Sequence, residues 1–112
     1  MFYVVALEGC PYSESCVNKL KKLNIKHNVT WVNHNTKHQY KTSKFNTFPQ
    51  ISFKVINRQG IYKDIFIGGL DDLEKLIQIS NVINKVDLLK YLQNNNMNKQ
   101  LVAPILFLMK KK

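Results

Sequence analysis

Short apolar runs and amphipathic stretches alternate along the first third of the chain. The run Phe2–Leu7 is apolar throughout, which predicts a buried strand. In residues 11–24 apolar side chains recur at intervals of three and four, and lysines occupy the other side, which predicts an amphipathic helix. Residues 28–32 predict a second short strand. Together these segments predict a β-α-β unit.

The middle of the chain contains a polar connection followed by a hairpin pattern. Residues 33–46 are polar and hold at most a short helix at 38–45. Apolar and polar residues alternate over 51–55, which predicts a strand. The Asn-Arg-Gln-Gly sequence at 57–60 predicts a turn, and residues 61–67 return as the partner strand.

Two helices are predicted after the hairpin. Asp71 is the expected N-cap of the first, because Glu74 follows three residues later as in a capping box. A second helix is expected to start near Asp87. The order β-α-β-(α)-β-β-α-α predicts an α/β fold in which a small mixed sheet has helices on both faces. The expected inner face of the first helix consists of Leu73, Leu76, Ile77 and Ser80.

The length of 112 residues predicts one domain with a single core. Residues 1–80 carry the main pattern, and residues 81–112 are expected to add a C-terminal helix and an apolar, basic tail to the same domain. The apolar part, 101–109, is expected to form a strand or loop on its own domain, or a frayed end. Contact with a partner or with an anionic membrane surface is the alternative.

The formal charge of +10 raises the question of nucleic-acid binding. Arg58 is the only arginine among 17 basic residues, and the lysines are scattered. Because arginine is preferred for contacts with phosphates and bases, solvated lysines are the favoured interpretation and no nucleic-acid partner is expected. Weak attraction to anionic partners stays open.

Two further features bear on location. Two cysteines are too few for a disulfide scaffold, which favours a reducing compartment such as the cytoplasm. No secretory signal is evident, and no run approaches the ~20 apolar residues of a membrane span.

The sequence Cys10-Pro11-Tyr12-Ser13 places a thiol where the first strand ends and the first helix begins. Unpaired N–H groups and a partial positive charge at a helix N-terminus favour thiolate over thiol. Pro11 suits the first helical turn. The segment therefore predicts a nucleophilic cysteine, although an ordinary buried thiol in a turn is the alternative.

Two more segments complete a pattern: Thr47-Phe48-Pro49-Gln50 and Gly68-Gly69-Leu70-Asp71-Asp72-Leu73. In this order, residues 2–80 resemble the glutaredoxin family, in its single-cysteine Cys-Pro-Tyr-Ser form. The resemblance implies a thioredoxin-like fold, with a mixed four-stranded sheet flanked by helices. It also implies a glutathione-dependent thiol-disulfide oxidoreductase that reduces protein–glutathione mixed disulfides, with glutathione and glutathionylated proteins as partners. The protein is expected to be a monomer.

The resemblance assigns roles to individual residues. Cys10 is the implied nucleophile, and Tyr12 flanks it. Pro49 is expected to be cis and to face Cys10, although a trans proline at a strand start is the simpler interpretation without the family. Lys44, or Lys41, is expected to meet the glycyl carboxylate. The implied glutathione-binding residues are Lys44, Thr47, Phe48, Pro49, Gly69, Leu70, Asp71 and Asp72.

Some positions depart from the family. A lysine often stands three residues before the active cysteine, where this chain has Leu7 followed by Glu8. Cys16 is a poor resolving partner for Cys10, because six helical residues rise ~9 Å, beyond disulfide reach. We expect Cys16 to be buried and inert. No metal site is expected, since His27, His34 and His38 have no cysteine partners at zinc-ligand spacing.

Two other functions remain open. Some single-cysteine glutaredoxins hold a [2Fe–2S] cluster between two subunits, but their usual Gly-Phe is replaced here by Pro11-Tyr12, which argues against this cofactor. A non-catalytic interaction module that has kept the fold is the other alternative, supported by Leu7 and by the tail.

Overall fold

In the computed structural model, which describes residues 1–42, 45–56, 58–60 and 62–110, four strands form one mixed sheet. The strands are β1 (Phe2–Leu7), β2 (His27–Val32), β3 (Gln50–Ile56) and β4 (Tyr62–Gly68). Their order is β2-β1-β3-β4; β1 is parallel to β2 and antiparallel to β3, and β3 is antiparallel to β4. The predicted α/β class with a mixed four-stranded sheet is confirmed. Residue 57 of the predicted turn and residue 61, the first of the predicted partner strand, lie outside the described residues.

Three α-helices follow the predicted order, and a fourth lies in the tail. They are α1 (Pro11–Lys22), α2 (Leu70–Val82), α3 (Leu88–Asn94) and α4 (Val102–Met109). Short 3-10 helices occupy Lys37–Tyr40, Lys85–Asp87 and Lys99–Leu101. Within the described ranges, no helix is long and apolar enough to cross a membrane.

The main core lies on one face of the sheet. Alternation in β1 turns Phe2, Val4 and Ala6 to this face, where they are at most 1% exposed. Buried apolar residues from all four α-helices join them in one cluster. The helices contribute Cys16, Val17, Leu20, Leu73, Leu76, Ile79, Leu88, Leu92, Ile105 and Leu108.

The prediction of helices on both faces is wrong for the described residues. Between β2 and β3 the chain forms only the 3-10 helix Lys37–Tyr40, because this segment is polar and presents no apolar stripe to bury. The opposite face of the sheet therefore keeps part of its surface open. On it Tyr3, Val5 and Ser52 are half-buried, and Phe66 is 53% exposed.

The apolar tail forms helix α4, so the expected strand, loop or frayed end is wrong. Pro104 fits within the first turn, where its missing N–H has no helical partner to lose. Ile105 is fully buried, and the ring of Phe107 lies 5.8 Å from that of Phe2 and 5.2 Å from that of Phe53. The tail thus covers its own domain.

Candidate active site

Cys10 stands at the junction between β1 and α1, in a tight turn. Gly9 has a φ of +78°, a conformation that glycine adopts without strain, and the Cys10 N–H donates to the Leu7 carbonyl at 3.1 Å. Cys10 is the N-cap of α1, and Pro11 is the first helical residue. The thiol is partly exposed and lies at the N-terminus of the helix, as predicted.

Ser13 points into the protein. Its side chain is fully buried, and its hydroxyl accepts a hydrogen bond from the Leu7 N–H at 3.0 Å. This bond ties the first turn of α1 to the end of β1. Ser13 therefore stabilises the turn that carries Cys10, and its side chain does not reach the surface beside the thiol.

The segment before β3 brings main-chain atoms to the thiol. The Phe48–Pro49 peptide bond is cis, as expected from the resemblance. Phe48 is only 8% exposed, and its carbonyl accepts from the Cys10 thiol at an S···O distance of 3.8 Å. Because this carbonyl reaches the thiol, a ligand there would meet main-chain hydrogen-bonding groups of Phe48.

The start of α2 forms the opposite wall. Gly68 has a φ of +130°, and a Cβ at this position would collide with the Asp72 carboxylate. Asp72 accepts from the Gly69 N–H at 2.9 Å, and Gly69 is the N-cap. The prediction that Asp71 caps this helix is therefore wrong. The helix begins two residues earlier, since Asp72 reaches back to Gly69, and the Asp71 carboxylate stays exposed.

These segments enclose a cleft of about 340 Å³ beside Cys10. Seven of the eight residues predicted to bind glutathione line it, together with Tyr12. Lys44 lies outside the described residues, and Lys41 is exposed and does not line the cleft. Cys10 itself does not line the cleft, but its thiol donates to the carbonyl of the wall residue Phe48. The lining residues are Tyr12, Phe45, Thr47, Phe48, Pro49, Gly69, Leu70, Asp71 and Asp72.

Phe45 is the lining residue that the sequence analysis missed. Its ring packs edge-on against Phe66, with centroids 4.9 Å apart, and lies beside Gly69. An aromatic residue two positions before Thr47 in a polar segment was the available signal.

Cys16 lies away from the site. It is fully buried on the inner side of α1, as predicted. Burial raises the pKa of its thiol to about 12, and the negative charge of Glu74 adds to the effect. Glu74 is itself paired with Lys19 at 2.7 Å. Cys16 therefore remains a neutral thiol in the core near neutral pH.

Metal-binding groups are not gathered at the cleft. Within the described ranges, no cluster of three or more histidine, cysteine or acidic side chains is placed to hold a metal ion.

The chain matches no protein-family model, and neither a curated protein nor a solved structure is detectably similar to it.

Proposed function

We propose that this protein is a glutathione-dependent thiol-disulfide oxidoreductase that reduces protein–glutathione mixed disulfides with Cys10 alone. One observation carries the proposal: three segments far apart in sequence line one cleft, and the thiol of Cys10 donates to the carbonyl of its wall residue Phe48. The lining residues are Tyr12, 47–49 and 69–72, which belong to the motifs on which the resemblance to glutaredoxins rests. The strand order and the mixed sheet are compatible with the thioredoxin-like fold of that family.

The proposed reaction proceeds by two thiol-disulfide exchanges. The Cys10 thiolate attacks the glutathionyl sulfur of the target, and the target cysteine leaves as a thiolate that takes up a proton. Glutathione is then joined to Cys10 as a mixed disulfide. The thiolate of a second glutathione attacks that glutathionyl sulfur, which releases glutathione disulfide and regenerates Cys10. In sum, one mixed disulfide is reduced and one glutathione disulfide is formed.

The cleft supplies complementary groups for a bound glutathione. The backbone of Phe48 would pair with its peptide groups as an added strand does. Free N–H groups in the first turn of α2 suit the γ-glutamyl carboxylate. Because Asp72 is engaged by Gly69, Asp71 is the carboxylate available to the α-ammonium group. Tyr12 is 68% exposed and forms the side of the cleft next to the thiol.

The monothiol route follows from the surroundings of Cys10. Ser13 stands where a second cysteine would, and its hydroxyl is bound to Leu7. Cys16 is buried in the core. Direct reduction of protein disulfides, which normally uses two cysteines, is therefore expected to be weak.

Trapping of the covalent intermediate tests the proposal. The protein is incubated with glutathione disulfide, and its intact mass and digested peptides are measured. We expect one glutathionyl group on Cys10, removable by glutathione, in both the wild type and Cys16→Ala. A protein that stays unmodified, or that is modified equally in Cys10→Ser, would contradict the proposal.

A further inference from the structure

A groove continues from the cleft across the open face of the sheet. Phe45 forms a wall of the cleft and also of a hollow of about 360 Å³ that Thr42, Gln50 and Phe66 complete. Gln50 and Phe66 in turn border a second hollow, of about 340 Å³, which reaches Val5 and Asp64. The three hollows therefore adjoin one another, in a row that begins at the cleft beside Cys10.

The floor of this groove is the sheet face that the helices leave uncovered. Register places Gln50 beside Val5, and Ser52 beside Tyr3 and Phe66, on the same side of the sheet. Phe66 exposes half of its surface there, although aromatic rings usually gain stability by burial. Phe45 contacts only part of it, edge-on. The groove thus has aromatic and aliphatic side chains along an otherwise shallow surface.

Gln50 lines two of these hollows, with its side-chain amide nitrogen beneath their surface. Its amide nitrogen is buried, and among the described residues it has no hydrogen-bond partner. A buried amide without an acceptor destabilises a folded protein, so turning the Gln50 side chain outward to an acceptor supplied by a ligand would be favoured. The carbonyl groups of an extended peptide are such acceptors, and its side chains would reach the apolar walls.

We propose that this groove binds an extended segment of the glutathionylated target protein, with a large apolar side chain seated against Phe66 and Phe45. The inference rests on the proposed function, because the target cysteine must lie at Cys10 while its neighbouring residues follow the groove. In the complex the Gln50 side chain turns outward, and its amide donates a hydrogen bond to a main-chain carbonyl of that segment. Targets with an aromatic or large aliphatic residue near the modified cysteine are the preferred substrates.

Kinetics with a peptide series test the groove. In each glutathionylated peptide a single phenylalanine stands at a different distance from the cysteine, and an all-alanine peptide is the reference. The small mixed disulfide of glutathione and 2-mercaptoethanol has no peptide segment, so its rate of reduction measures the reaction at Cys10 without any contact in the groove. For the wild type we expect one spacing to raise kcat/KM about tenfold over the alanine peptide, as an apolar subsite does.

Two groove variants and one control separate recognition from folding. Phe66→Ser and Gln50→Leu are expected to lose most of the preference for phenylalanine and to reduce the small substrate normally. Gln50→Leu also removes the buried amide, so its thermal midpoint is expected to equal or exceed that of the wild type. Leu89→Ser is the control, since Leu89 on α3 is 49% exposed, similar to Phe66. Equal kcat/KM for every peptide, or a preference that survives in Phe66→Ser, would overturn the inference.

A binding measurement keeps the groove separate from catalysis. Fluorescence anisotropy of the labelled, unmodified peptides is measured with Cys10→Ser. We expect the same phenylalanine spacing to bind most tightly, and Phe66→Ser in the Cys10→Ser background to remove the difference. If the wild type reduces no mixed disulfide but this pattern holds, the proposed function fails and the peptide groove stands. A labelled single-stranded oligonucleotide that binds in place of the peptides, and depends on Phe66, would overturn the peptide assignment.

Discussion

The Leu7 N–H donates a hydrogen bond to the buried Ser13 hydroxyl at an N···O distance of 3.0 Å. This bond closes the turn between β1 and α1 from the inside. Because Cys10 lies within that turn, the position of its thiol depends on Ser13, which is buried beneath the site.

Replacement of Ser13 by alanine is expected to destabilise the fold. The Leu7 N–H would lose its acceptor in a partly buried position, which costs about 1–3 kcal/mol. Urea unfolding measures the difference. Ser15→Ala is the matched control, because Ser15 is exposed on the same helix and its loss should change stability by less than ~0.5 kcal/mol. Equal effects of the two substitutions would show that the Leu7–Ser13 bond contributes nothing.

Gly68→Ala is expected to lower the free energy of unfolding by about 3 kcal/mol, because both the backbone conformation and the space oppose a side chain. The φ of Gly68 is +130°, and the added methyl group would collide with Asp72, whose carboxylate caps α2. Gly60→Ala separates the two causes. Gly60 has a φ of +79°, but no atom lies within 4 Å of an added Cβ. Gly60→Ala should therefore lower the free energy of unfolding by only about 1 kcal/mol. A loss at Gly68 no larger than that at Gly60 would contradict the steric account.

Ile105→Ala is expected to cost about 2–5 kcal/mol, since it leaves a cavity in the fully packed core. Leu89→Ala is the control, because Leu89 is half exposed and its truncation should cost less than ~1 kcal/mol. Chemical unfolding of both variants compares them. If Ile105→Ala unfolds like the wild type, the tail does not pack on its own domain in solution.

The buried Cys16 thiol predicts a loss of stability at high pH. Its folded pKa, about 12, lies above the ordinary value of 9.0, so the unfolded chain releases this proton first as pH rises. Its contribution is therefore complete below about pH 9 and declines above it. Between pH 7 and pH 10 the wild type should lose about 1 kcal/mol more than Cys16→Ala. Identical pH profiles of the two proteins, measured by urea unfolding, would show that Cys16 is not buried as described.

The sequence predicted most of the elements because their signals are local. Residues 11–24 carried both a helical period and a proline at the helix start, and α1 is found at Pro11–Lys22. The apolar tail was misjudged because a run that is apolar on all sides has no period, so a buried helix and a strand look alike. Pro104 strengthened the error, although proline is tolerated in a first helical turn.

The site was predictable where the resemblance to glutaredoxins pointed to it. The three segments that this resemblance singled out, which carry Cys10, Phe48 and Gly69, meet in the structure. The role of Phe45 was not predictable, because it depends on a long-range contact with Phe66. The inward position of the Ser13 hydroxyl and the shift of the helix cap from Asp71 to Gly69 also depend on three-dimensional contacts that no local pattern encodes.

The most direct test of the central claim is the rate of reduction of a glutathionylated peptide, coupled to the formation of glutathione disulfide, in three proteins. The wild type and Cys16→Ala are expected to react at similar rates, because Cys16 is a neutral thiol in the core. Cys10→Ser is expected to show no rate above that of glutathione alone. Full activity in Cys10→Ser, or loss of activity only in folded Cys16→Ala, would contradict the account.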